Sequence, residues 1–235
     1  MSADFESLKG SLNPIQIFKC LAYNMKFRAE HPEYFDPCGL MVFCGPQGSG
    51  KTLSAVNYVR NLCKKYPAAI LCTNVSISDL PKETKVVEYN GLDDLKNLEN
   101  GYAGVIYLID EIHLEYNSLE SKNIDIEIMI EVSQQRKQRK HIVGTSQVYQ
   151  RLAKPFREQV SDIILCRSFF RFIQFNKYID GMTAVEENGK LKATVKKRSL
   201  WFHTPLLYGC YDTFAKMRRY RNEWQGRKRN FGGDI

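Results

Sequence analysis

Short apolar runs alternate along this chain with segments of helical period. LMVFC at 40–44, AILCT at 69–73, KVVEY at 85–89, GVIYLI at 104–109, HIVGT at 141–145 and DIILC at 162–166 read as strands. Near-continuous apolar strands separated by helices are what a mainly parallel sheet, buried on both faces, requires. The spacing predicts helices over 50–65, 92–98, about 123–139 and 147–153. Upstream, Ile15, Ile17, Phe18, Leu21 and Met25 recur at helical intervals within 14–30, and Asn13-Pro14 supplies a cap and first turn. After Arg167 the period shortens to two. Residues 168–179 and 191–203 alternate on either side of Glu187-Asn188-Gly189, which predicts an antiparallel β-hairpin appended to the core. The expected organisation is an N-terminal helical extension (1–38), an α/β core (39–167), the hairpin addition (168–215) and a tail (216–235).

Composition narrows this picture only a little. A chain of 235 residues has room for one full α/β core and too little for two. With 43% apolar and 26% charged residues it reads as an ordinary soluble protein. No run approaches the ~20 apolar residues of a membrane helix, and MSADFESLKG lacks the basic lead and apolar stretch of a signal peptide. Cysteines at 20, 38, 44, 63, 72, 166 and 210 are odd in number and form no Cys-x-x-Cys pair. Cys44, Cys72 and Cys166 sit inside apolar runs, where a free thiol behaves as a small hydrophobe, so a reducing cytoplasm is the expected location.

The net charge of +8 is unevenly spread. Lys216 to Arg229 carries seven basic residues against Glu223 alone, with Tyr220, Trp224 and Phe231 in or beside it. Further basic clusters are Arg136 to Lys140 and Lys190 to Arg198. Clusters of this kind suit a polyanion such as DNA, or simply a solvated surface.

The chemistry concentrates at Gly45-Pro46-Gln47-Gly48-Ser49-Gly50-Lys51-Thr52. The pattern G-x-x-x-x-G-K-[ST] needs its glycines so that the backbone can curl and aim successive N–H groups at phosphate oxygens. It follows an apolar strand and opens a helix, whose positive end faces the same phosphates. Lys51 would reach the β- and γ-phosphates of ATP, and Thr52 would hold Mg²⁺. The strand at 104–109 ends in Asp110-Glu111: Asp110 suits the Mg²⁺ shell, and Glu111 suits a general base for the attacking water. Gly144-Thr145-Ser146-Gln147 ends the next strand, so Gln147 would lie beside that pair if the two strands are neighbours.

GPQGSGKT, the acids of LIDE, GTSQ, and the line VYQRLAKPFREQVSDIILC together resemble the FtsK/HerA superfamily of P-loop ATPases. They are similar to viral genome-packaging ATPases of that group and to Zot-like assembly ATPases of filamentous phages. The resemblance covers about residues 39–167. It implies a RecA-like core, a ring of identical subunits that hydrolyses ATP to move DNA, and an arginine supplied by the neighbouring subunit. Arg136 best matches that position, with Arg139 second and Arg157 a further candidate; a guanidinium fork there would stabilise charge on the transferred phosphoryl group. Capsid or membrane-vertex proteins are implied as partners, and the virion as a second location.

Other readings stay open at this point. Asp110-Glu111-Ile112-His113 spells a DExH box, but a superfamily 2 helicase needs a second RecA-like domain for which no room remains, and His113 reads as incidental. A small AAA+ helicase loader would carry Asn or Thr in place of Gln147 and a helical lid after it. Against a small-molecule kinase stands Glu111 beside Asp110, arranged for water attack; a kinase would instead need an acceptor pocket and an arginine-bearing lid, and the same glutamate disfavours a purely structural nucleotide switch.

Overall fold

The computed structural model describes residues 14–114, 132, 134–187 and 190–212. Most of the helix expected over 123–139, the Asn188-Gly189 turn and the basic tail lie outside them. The chain divides between Tyr34 and Phe35 into two compact units. The first contains α1 (Pro14–Glu30), as the 14–30 pattern predicts. Pro14 opens it, where a missing N–H is harmless. In its last turn Phe27 meets the ring of Tyr34, just beyond the helix, edge-on, with centroids 5.0 Å apart.

The second unit begins with β1 (Gly39–Cys44), α2 (Lys51–Lys65), β2 (Ile70–Thr73), β3 (Ser76–Ile77), β4 (Val86–Glu88), α3 (Asp93–Asn97) and β5 (Val105–Ile109). After α4 (Gln135–Gln138) come β6 (Lys140–Ser146), α5 (Lys154–Arg157), β7 (Val160–Phe169) and β8 (Ile173–Asp180). Then follow β9 (Val185–Glu187), β10 (Lys190–Lys192), β11 (Val195–Phe202), α6 (Pro205–Gly209) and β12 (Tyr211–Asp212). Eight of these strands form one sheet in the order β11-β8-β7-β1-β6-β5-β2-β4. The six from β7 to β4 are parallel; β8 and β11 run antiparallel at one side. This is the α/β class read from the periodicity, with its antiparallel C-terminal hairpin. β8 pairs with β7 from Asp162↔Asp180 to Phe169↔Ile173, so the hairpin continues the core sheet across residue 167.

Alternation along each strand feeds two apolar layers. Leu40, Val42, Val105 and Tyr107 face one, with Leu152 and Phe156 over them. Met41, Phe43, Ile106 and Leu108 face the other, covered by Leu53, Val56, Val59 and Leu62 of α2. The helix expected over 147–153 is instead a 3₁₀ turn, Tyr149–Arg151, followed by α5. Pro155 lies in the first turn of α5, where its missing N–H and fixed φ are tolerated; within a continuous helix they are not. All seven cysteines are free, and burial pushes the thiols of Cys63, Cys72 and Cys166 up to about 12.

His141 of β6 ties β1 and α2 to this strand. Its Nδ1–H donates to the Gly39 carbonyl at 3.0 Å, and its Nε2 accepts from the Tyr58 hydroxyl at 3.0 Å, so the neutral ring is fully satisfied. Burial lowers its pKa from 6.5 to about 4. The unfolded chain therefore takes up the proton first. Stability should be intact above pH ~6.5 and decline between ~6.5 and ~4, by about 3 kcal/mol in all. Denaturant titrations at several pH values should show this slope in the parent and a shallower one in His141→Gln, which offers a donor and an acceptor but takes up no proton. Equal slopes would exclude His141 as the source.

Candidate active site

The loop between β1 and α2 holds glycines at three left-handed or otherwise L-forbidden positions, Gly45 (φ 154), Gly48 (φ 77) and Gly50 (φ 79). The Ser49 N–H donates to the Pro46 carbonyl at 3.2 Å, and the Lys51 ammonium donates to the same oxygen at 3.0 Å. The loop is thus closed on itself, with a largely buried lysine spanning it. β6 lies between β1 and β5, which satisfies the condition for bringing Gln147 beside the acidic pair.

Asp110 stands at the centre of a set of short contacts. Its Oδ1 accepts from the Thr52 hydroxyl at 2.9 Å and from the Thr145 hydroxyl at 2.6 Å. Asn74, just past β2, clamps the Asp110 main chain from both sides: its amide donates to the Asp110 carbonyl, and its oxygen accepts the Asp110 N–H at 2.8 Å. The Thr145 hydroxyl also accepts from the Glu111 N–H at 2.9 Å. One hydroxyl therefore fixes both acids. Glu111 takes φ 55, a costly conformation for a non-glycine residue outside functional sites. Its carboxylate lies 3.3 Å from His113 Nε2, whose other nitrogen faces the Ser146 hydroxyl at 3.3 Å. His113, which reads as incidental in the sequence, is a direct neighbour of Glu111.

The loop and the two acids line a cavity of about 900 Å³. Gln47, Gly48, Gly50, Lys51, Thr52, Asp110, Glu111 and Gln147 all border it. Its far wall comes from the hairpin and the segment after it: Ser168, Arg171, His203, Tyr208 and Tyr211. Burial, followed by the nearby Asp110 charge, raises the Tyr211 pKa, while burial lowers that of His203. The hairpin also braces the loop from beneath. The Gln174 amide donates to the Ser49 carbonyl at 3.0 Å and to Asn176 at 2.9 Å, and Asn176 in turn bonds Ser54 of α2. A period-two pattern that turns polar on its inner face, Gln174 then Asn176, was the sequence signal for this brace.

The arginines fall elsewhere. Arg136 lies in α4 and Arg139 just after it, both before β6. Arg157 ends α5, before β7. All three occupy the edge where the parallel strands begin, whereas the loop and the acids occupy the edge where they end. A strand of this length separates the edges by about 15–20 Å, so none of the three is near its own chain's cavity. The Arg139 guanidinium covers the Tyr102 ring at 5.0 Å.

Hard oxygen donors on Thr52 and Asp110, 2.9 Å apart at the cavity wall, fit Mg²⁺. Among the described residues no helix is long and apolar enough to cross a membrane.

No family model matches the sequence, and no curated protein is similar to it. Its fold does have solved counterparts. The N-terminal domain of zonular occludens toxin from Neisseria meningitidis superposes with a TM-score of 0.53 at 14% identity, over 74% of this chain and 98% of that one. The DNA-packaging ATPase B204 of Sulfolobus turreted icosahedral virus gives 0.48 at 14% identity, over 72% and 98%. The first of these likenesses bears on the fold: the core is RecA-like and resembles the Zot N-terminal domain.

Proposed function

We propose that this chain hydrolyses ATP and couples hydrolysis to the movement of DNA, as one subunit of a ring, in packaging a viral genome into a capsid. The observation that carries the reading is the shared Thr145 hydroxyl, which sets Asp110 against Thr52 and Glu111 over the same cavity as Lys51. In this reading the loop N–H groups and Lys51 bind the phosphates, and Thr52 and Asp110 hold Mg²⁺. The ion, when bound, neutralises charge on the β- and γ-oxygens. Glu111 polarises a water, with His113 beside it to hold the carboxylate, and Gln147 hydrogen-bonds the γ-phosphate or the water. An arginine of a neighbouring copy, Arg136 or Arg139, completes the site, which agrees with their distance from the cavity of their own chain.

DNA would be gripped through its backbone by basic side chains such as Lys197 and Arg198 of β11 and those of the tail. ATP turnover by the full chain should rise about tenfold on adding DNA, and the rise should fade between about 50 and 200 mM salt. Ring formation should accompany it on light scattering. Turnover indifferent to every DNA tested, with no assembly, would sink the translocase reading. The likeness to the Zot domain favours a second version, an assembly or export ATPase of a filamentous phage; recruitment to a membrane partner instead of a capsid vertex distinguishes it.

A further inference from the structure

The turn between β7 and β8 places an arginine on the cavity wall at a cost in backbone conformation. Phe172 N–H donates to the Phe169 carbonyl at 3.2 Å, closing a two-residue turn. Both central residues are left-handed, Phe170 at φ 51 and Arg171 at φ 62. Such a turn matches the twist of the strands, and Asn-Gly is its ordinary occupant. Bulky residues at both positions are strained, and strain of this kind gathers where side chains have work to do. Here the strain is held in place: the Tyr208 hydroxyl donates to the Arg171 carbonyl, and His203 Nδ1 lies 2.9 Å from the same oxygen. His203 also bonds Gln174, which reaches the phosphate-binding loop at Ser49. The turn is thereby tied to the loop it faces.

Arg171 borders the same cavity as Lys51 and Glu111, and among the described residues no carboxylate pairs with its guanidinium. A planar, permanently charged fork suits phosphate oxygens better than any other side chain. We propose that Arg171 binds the terminal phosphate of the nucleotide held by its own chain, in addition to the arginine that a neighbour supplies. This rests on the nucleotide-binding reading above. It makes the hairpin part of the site, and it makes the turn a place where ATP and ADP are told apart.

The test measures binding of ATPγS and ADP, each with Mg²⁺, to the full chain and to Arg171→Gly and Arg171→Lys, alongside their melting temperatures. Glycine removes the guanidinium and relieves the left-handed strain together. Arg171→Gly should bind ATPγS at least tenfold more weakly and ADP within threefold, while melting at or above the parent temperature. Arg171→Lys should recover part of the lost affinity without the gain in stability. An ATPγS affinity within twofold of the parent, or equal losses for both nucleotides, overturns the assignment of Arg171 alone. No ATPγS binding by the parent overturns the nucleotide reading and this one with it.

Discussion

Replacing Glu111 with Gln should lower steady-state ATP turnover about a thousandfold, within the range of a lost general base, while ATP binding stays within about threefold. The substitution keeps size, shape and the backbone contact to Thr145, and it removes only the ability to take a proton. The main-chain φ of 55 at this position argues that its side chain has been aimed at some cost. His113 and Ser146 then hold the carboxylate from behind. Single-turnover hydrolysis and equilibrium binding on the same preparation separate the two effects. Rapid hydrolysis by the variant would remove Glu111 as the base, and loss of binding would mean that it acts on the nucleotide rather than on water.

Gly50→Ala should have a large effect of its own by a different route. Gly50 sits at φ 79, where an alanine costs about 1–2 kcal/mol in conformation alone. An added methyl would also lie 2.1 Å from Gln174 Oε1. That amide is not free to swing aside, because Gln174 is fully buried and bonded to Ser49, Asn176 and His203. Either the loop shifts or the brace under it breaks. A displacement worth about 2–3 kcal/mol corresponds to about a hundredfold in nucleotide affinity, and melting should fall by about 5–10 °C. Gln174→Ser in the same chain should restore part of the affinity by removing the obstacle. Nucleotide binding by Gly50→Ala as tight as the parent's would show that the loop is not held from below.

How much of this was legible in the residues depends on which force decides each feature. The strands and α2 could be read because both faces of a parallel sheet must be apolar, and a run such as LMVFC has no other good use. The loop and the acidic pair could be read because phosphate and metal binding constrain both residue type and spacing. Thr145 and Asn74 carry no such mark. A threonine at a strand end and an asparagine after one are commonplace, and only the juxtaposition of β2, β5 and β6 turns them into partners of Asp110. His113 was passed over for the same reason. Arg171, His203 and Tyr208 follow the acids by sixty residues or more and join them only because β7 pairs with β1. The helix over 147–153 failed locally, because Val148 and Leu152 are extended on either side of the 3₁₀ turn, which the apolar period does not register.

The position of β1 also bears on how the chain reaches this state. It hydrogen-bonds on one side to β6, beginning at Lys140, and on the other to β7, beginning at Val160. No segment made earlier can take either place, so the strand that leads into the loop must wait for partners about a hundred residues downstream. Pairings of such long range are slow, since the closure entropy is paid before any contact repays it. The loop and its acids become a site only at that late step. A ligand that binds the finished cavity and no earlier state then draws the whole population toward completion by mass action, so nucleotide present during synthesis should act on the yield of folded chain as well as on its work.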